Sequence, residues 1–205
     1  MTADHPADRP AANPAAFAFL SRRRSRPAKL FTGPVPDRAA LRMILNVALR
    51  VPDHGKLEPW RFVIVEQPAM ARLAGLAQAR ARELGGDGRM SVDQMIDKGR
   101  GQFDRGVLAV VVISSPKASD KVPLVEQRAS AHALCMNLLA VAEAAGWGAN
   151  WLTGWAAHDA VFAARAFGCS GDETVAGIVH IATPPEDAPD RPRPDADRLT
   201  TWAAP

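Results

Sequence analysis

The 205 residues are enough for one well-buried domain and too few for two of ordinary size. With 47% hydrophobic residues the chain is not of the disordered kind, and its formal charge of +3 reflects a small excess of Lys and Arg rather than a nucleic-acid-binding tail. Cys135 and Cys169 fall in no CxxC or CxxH spacing and are too few for a disulfide framework, so a reducing, cytoplasmic setting is expected.

Residues 1–16 are rich in Ala and Pro, lack the apolar core of a signal peptide and are expected to be a disordered extension. The remainder, 17–205, is expected to form a single domain. A short helix from Phe17 to Arg24 leads into the basic cluster Arg22-Arg23-Arg24-Ser25-Arg26, which Pro27 stops. Asp37 is the expected N-cap of the next helix, whose Leu41, Ile44, Leu45, Ala48 and Leu49 recur at core-facing helical spacing. Val51-Pro52 ends it. A polar loop, Asp53 to Pro59, then launches a strand from Trp60 to Val65.

Two helices are predicted next, Pro68 to Leu84 closed by Gly85-Gly86, and Ser91 to Arg100. The continuous apolar run Val107 to Ile113 predicts a strand buried on both faces. After the loop Ser114 to Pro123 comes a long helix, Leu124 to Ala145. Its Glu126, Arg128, His132 and Glu143 exclude a membrane span, so no membrane partner is expected. A short strand from Ala149 to Thr153, a helix from His158 to Phe167 and a last strand from Thr174 to Ala182 follow, with a Pro-rich extended tail from Pro184. Elements that mix without regular βαβ alternation predict an α+β sandwich. Gly146-Trp147-Gly148 follows a helix rather than a strand, so it is no dinucleotide fingerprint.

Three segments carry chemistry. Arginines clustered at a helix end, with Ser25 beside them, can grip a phosphate through charge-assisted bonds, though alone they equally describe a solvated basic turn. The loop Arg50 to Trp60 joins two rigid elements and is suited to reading the edge of a planar heterocycle, or is an ordinary connection anchored by Trp60. Gly146 to Gly154 combines glycines that let backbone approach a ligand with flat tryptophan walls, or is a helix cap followed by a core strand. His5, His54, His132, His158 and His180 are scattered without ligand spacing, so no metal is expected. Nor do nucleophile and base fall in a recognisable arrangement. A nucleic-acid adaptor working through Arg22 to Arg26 is disfavoured because that segment has no interleaved aromatics.

Taken together, Arg23-Arg24-Ser25, Pro52 to Trp60 with its Pro-Asp-His and Pro-Trp, and Lys121 to Gln127 as Lys-Val-Pro-x-x-Glu-Gln resemble the nitroreductase family. The resemblance runs from about Phe17 to Thr183 and is nearest to the small YdjA-type members that lack large inserted lids. It implies a three-layer sandwich with a mixed, mostly antiparallel sheet flanked by helices, and an intertwined homodimer with FMN at the interface. It further implies an NAD(P)H oxidoreductase that reduces nitroaromatics, quinones or similar electron-poor small molecules by ping-pong hydride transfer through flavin N5, the flavin and not a protein residue carrying the chemistry. Carried onto this chain, Arg23, Arg24 and Ser25 hold the phosphate end, Arg50 and His54 reach the partner's flavin, Trp151, Leu152 and Thr153 line the ring, and Arg193 joins the phosphate from the tail.

Two departures bear on function. Pro27 stands where many relatives carry a cation near the flavin's pyrimidine edge, leaving Arg50 or Lys29 to stabilise reduced flavin. Leu152 stands where close relatives carry a cation. A flavin-dependent dehalogenase or desaturase, or a non-enzymatic flavin sensor, is the alternative on the same fold.

Overall fold

The computed structural model describes residues 11–185 and 190–203. Most of the expected N-terminal extension, with His5, and residues 186–189 of the tail lie outside the described residues. Helix α1 spans Pro14–Arg22 rather than starting at Phe17. Asn13 takes the N-cap, its side chain accepting the Ala16 N–H at 3.1 Å, and Pro14 fills the first turn. Residues 14–16, expected in the extension, are therefore helical, and the arginine run begins at the helix end with Arg23 as C-cap.

Helix α2 (Arg38–Ala48) is capped by Asp37 as predicted, and it buries Leu41, Ile44 and Ala48. Strand β1 (Trp60–Glu66) is followed by α3 (Gln67–Leu84) and α4 (Val92–Arg100), the latter started by a capping box between Ser91 and Gln94. Strand β2 (Leu108–Ser114) is wholly buried. Then come α5 (Leu124–Ala144), β3 (Gly148–Leu152), α6 (Trp155–His158), α7 (Ala160–Phe167), β4 (Thr174–Ala182) and α8 (Ala196–Leu199). The expected helix from His158 to Phe167 begins at Ala160 as α7, and a separate short helix, α6, ends at His158 before it. Asp159 ends α6 and caps α7, accepting the Phe162 N–H, while the Arg80 guanidinium clamps its carboxylate.

The strands lie in the order β1-β2-β4-β3, and every described pairing is antiparallel. The α+β class holds, while the mixed pairing expected of the sheet is not present among these four strands. Chain connection explains this. Two helices, α3 and α4, separate β1 from β2, so the chain reverses three times and enters β2 antiparallel to β1. A single helix, α5, separates β2 from β3, which therefore run the same way, but β4 inserts between them and opposes both.

Alternation along the strands sorts the core into two halves. Ala109, Val111, Ile113, Val175 and Ile178 face α3, α6 and α7. Leu108, Val110, Val112, Val179 and Ile181 face α2 and α5. Helices thus cover both sheet faces, which is why β2 reads as an unbroken apolar run; each fully buried Val, Leu or Ile side chain contributes roughly 1.5–3 kcal/mol.

The register shifts between Val112 and Ile113, where Ala176 is the extra residue of a bulge in β4. Just beyond it Gly177 carries the indole of Trp151, and an added Cβ would overlap that ring and stand 2.9 Å from Cys135 Sγ. Gly177→Ala is expected to cost about 3 kcal/mol in urea unfolding, the scale of an overpacked core; a loss below about 1 kcal/mol would show that the ring yields freely.

The starts of β1 and β4 are tied by a fork. Arg61 donates from Nε and Nη2 to the two carboxylate oxygens of Glu173, both at 2.8 Å, and also to the Phe167 and Gly168 carbonyls. The Arg61 hydrogen bonds hold the Glu173 carboxyl at about 2, well below its ordinary 4.5. The unfolded chain binds this proton more readily, so the stabilisation is full above about pH 4.5 and is lost as pH falls toward 2. Glu173→Ala is expected to destabilise by about 2 kcal/mol at pH 7 and by much less at pH 2.5, measured by urea midpoints at both values.

Candidate functional site

A cleft of about 360 Å³ opens beside β3, the last strand of the sheet order, lined by Arg24, Ser25, Pro27, Ala28, Lys29, Gly101, Asn150, Leu152 and Arg191. The stretch after α1 cannot stay helical through Pro27, and it is stitched to β3 instead. The Arg26 N–H donates to the Ala149 carbonyl at 3.3 Å, and the Asn150 side-chain amide donates to the Arg26 carbonyl at 2.7 Å. Strand alternation sends Asn150 and Leu152 into the cleft and Ala149 toward α5.

The far wall comes from the tail. Thr32 and Thr183 exchange backbone hydrogen bonds at 3.1 and 3.2 Å, and the Arg26 guanidinium donates to the Pro185 carbonyl. These bonds anchor the chain leaving β4 beside the arginine loop, and Arg191 lines the cleft further along the tail.

Chemically the cleft joins three cationic side chains and a hydroxyl to an apolar strip of Pro27, Ala28 and Leu152. That combination suits a flat ligand with an anionic end. Among the described residues, two buried acceptors in this region lack a hydrogen-bond partner, Asn150 Oδ1 at the cleft and Gln102 Oε1 one position past Gly101. Gln102 follows the cleft residue Gly101, and its amide donates to the Thr153 carbonyl. Unpaired buried acceptors are costly, so donors on a ligand or water are the natural complement.

Behind the cleft a second hollow of about 310 Å³ gathers Arg22, Arg23, Arg24 and Arg26 round Glu143, with Phe19 and Trp147 as walls. Glu143 accepts the Arg24 backbone N–H at 3.0 Å and meets the Arg23 guanidinium at 3.5 Å. Burial pushes its carboxyl above the ordinary range, and the Arg23 charge opposes that rise.

The structure therefore brings together Arg24, Ser25 and Leu152 of the expected set and adds Lys29, the alternative cation to the one missing at Pro27. Arg23 turns to Glu143 instead. Arg191 rather than Arg193 lines the cleft, and Arg193 pairs with exposed Asp190 at 3.1 Å. Trp151 and Leu152, expected as one wall, are parted by the strand. The Trp151 ring packs into the α5-side core and lies 6.4 Å from the His132 ring. Thr153 is exposed, with its carbonyl accepting the Gln102 amide.

Arg50 and His54 do not line the cleft. They are exposed near α2 and α5, where His54 Nδ1 lies 2.7 Å from Glu126 Oε2. Their loop is a held conformation: Asp53 accepts the Leu57 and Glu58 N–H groups, and Lys56 and Glu58 adopt positive φ of 54° and 48°.

Sequence reasoning missed Asn150, Arg191 and Glu143. A signal existed for Glu143, a lone carboxylate in the apolar stretch Leu138 to Ala145. For Asn150 it was a polar residue alternating with Ala149 and Trp151 in a strand.

Comparison with known proteins bears on this geometry. The model of the Nitroreductase family matches residues 20–183. The Escherichia coli protein named "Putative NAD(P)H nitroreductase YdjA" is 31% identical over 169 residues, covering 82% of this chain and 88% of its own. Among solved structures, a nitroreductase-like family protein from Bacillus cereus superposes with a TM-score of 0.75 at 19% identity, over 95% of this chain and 98% of its own. A variant of the FMN and NADPH-dependent nitroreductase NfnB, from a Sphigopyxis strain, superposes with a TM-score of 0.67 at 21% identity, over 91% and 98%.

Proposed function

The chain belongs to the nitroreductase family, and from that premise we propose that it is an FMN-dependent NAD(P)H oxidoreductase, homodimeric and acting on nitroaromatic, quinone or similar electron-poor acceptors. The observation that carries this reading is the convergence of Arg24, Ser25 and Arg191 at one cleft beside an apolar strip of Pro27, Ala28 and Leu152. The donor set fits a phosphoryl group, and the Asn150 side-chain oxygen in the cleft lining offers an acceptor to a heterocycle's N–H groups.

In this reading Arg24, Ser25 and Arg191 hold the phosphate while Pro27, Ala28 and Leu152 exclude water from the flat portion. Lys29 supplies the cation that Pro27 lacks, next to whichever part of the ligand carries negative charge. The bound flavin would supply the redox chemistry, taking hydride from NAD(P)H and passing it to the acceptor. The protein's part is to bind, orient and shield.

Dimerisation is supported by the surface around Arg50 and His54. Met43 and Val47 on α2, with Leu124, Val125 and Met136 on α5, are exposed apolar side chains in the same region. A second copy covering that face would carry Arg50 and His54 to its partner's cleft. Free, buried Cys135 and Cys169 fit a cytoplasmic setting.

Turnover tests the proposal. Protein loaded with FMN should oxidise NADH or NADPH steadily in the presence of menadione or a nitroaromatic, with the parallel double-reciprocal lines of a ping-pong scheme. FMN-loaded protein that leaves both nicotinamides unoxidised would overturn it.

A further inference from the structure

Glu143 is placed where a carboxylate is least favoured. It lies in the last turn of α5, against the negative end of the helix dipole, with its side chain only 10% exposed, in a hollow that shares Arg24 with the cleft expected to hold an anion. An acidic group there works against phosphate binding by simple charge, so its contribution must come from geometry. Its Oε2 accepts the backbone N–H of Arg24 at 3.0 Å, and its Oε1 faces Arg23. Arg24 and Ser25 are the first residues after α1 to line the cleft, ahead of Pro27, Ala28 and Lys29.

Resting on the FMN reading above, we propose that Glu143 is the positioning residue of the phosphate grip. It fixes the backbone at Arg24, so that the Arg24 guanidinium and the Ser25 hydroxyl meet the phosphoryl group without first having to be ordered. The next fasteners along the loop are the two bonds of Arg26 to Ala149 and Asn150. Without Glu143, Arg24 and Ser25 lose their tie to α5 on the N-terminal side. The bond to Arg24 needs an acceptor oxygen and not a charge, so Gln serves in its place where Ala does not. Arg23, relieved of its carboxylate partner in either variant, is not part of this requirement.

The test compares FMN with riboflavin, which lacks the phosphate, by flavin fluorescence titration of the full-length protein. Wild type should bind FMN more tightly than riboflavin. Glu143→Ala should weaken FMN binding about tenfold, the scale of one charge-assisted hydrogen bond, and leave riboflavin binding unchanged. Glu143→Gln should restore most of the FMN affinity. An FMN-to-riboflavin ratio unchanged in Glu143→Ala, or a parallel loss for both flavins, would overturn the positioning role. Failure of the wild type to bind either flavin would instead defeat the FMN reading on which it rests.

Discussion

Arg24→Glu combined with Arg191→Glu is expected to weaken FMN binding by about 100-fold or more, because two charge-assisted contacts become two repulsions. The pair is chosen from geometry, since both side chains line the same cleft although 167 positions part them in sequence (191 less 24). Arg193→Glu is the matched control. Arg193 faces Asp190 at the surface, so its reversal should leave FMN affinity within about threefold of wild type. Fluorescence titration of the three proteins decides the matter. Retained affinity in the double variant would remove the cleft from the phosphate role, and a large loss in Arg193→Glu would return that role to the residue first expected from sequence.

The second large effect belongs to stability. His180 lies in β4 beside Asn150, 1% exposed, and among the described residues neither ring nitrogen has a well-formed hydrogen bond, the Gln102 backbone offering only a weak pull toward the charged form. Burial pushes its pKa down from 6.5 to about 4. The unfolded chain therefore takes up this proton first, and His180 lowers stability progressively as pH falls from 6.5 toward 4. The loss amounts to about 3 kcal/mol at 1.36 kcal/mol per pH unit. Glu143, with its carboxyl raised, acts in the opposite sense, gaining relative stability as it is protonated in the folded state. A His180→Leu variant isolates the histidine. It should be as stable as wild type or more so at pH 7, since it removes unsatisfied polar atoms at similar volume, and its advantage should grow by about 3 kcal/mol at pH 4. A difference between the two proteins that stays constant with pH would contradict a neutral, buried His180.

Much of the fold was legible because its signals are local. The unbroken apolar run of β2 announced cover on both faces, and Asp37 and the helical stripe through Leu41, Ile44 and Ala48 defined α2. Strand order was not legible, since nothing in β3 or β4 records that β4 inserts between β2 and β3. The site divided along the same line. Arg24 and Ser25 stood out as a cluster, and Leu152 came in by resemblance. Asn150 could be placed in the cleft only once the direction of each β3 side chain was known, and that same alternation moved Trp151 to the opposite face. The choice between Arg191 and Arg193 depends on a tail conformation that a Pro-rich sequence leaves unspecified. Arg50 and His54 are a further case, because their proposed role requires a second copy of the chain.

The central claim is that this cleft binds FMN, and the absorption spectrum of the purified protein after incubation with FMN and removal of excess tests it most directly. The account predicts the two-band spectrum of oxidised flavin at one FMN per chain, with a dissociation constant of about 1 μM or tighter. A colourless protein that neither quenches FMN fluorescence nor gains thermal stability in its presence would contradict it.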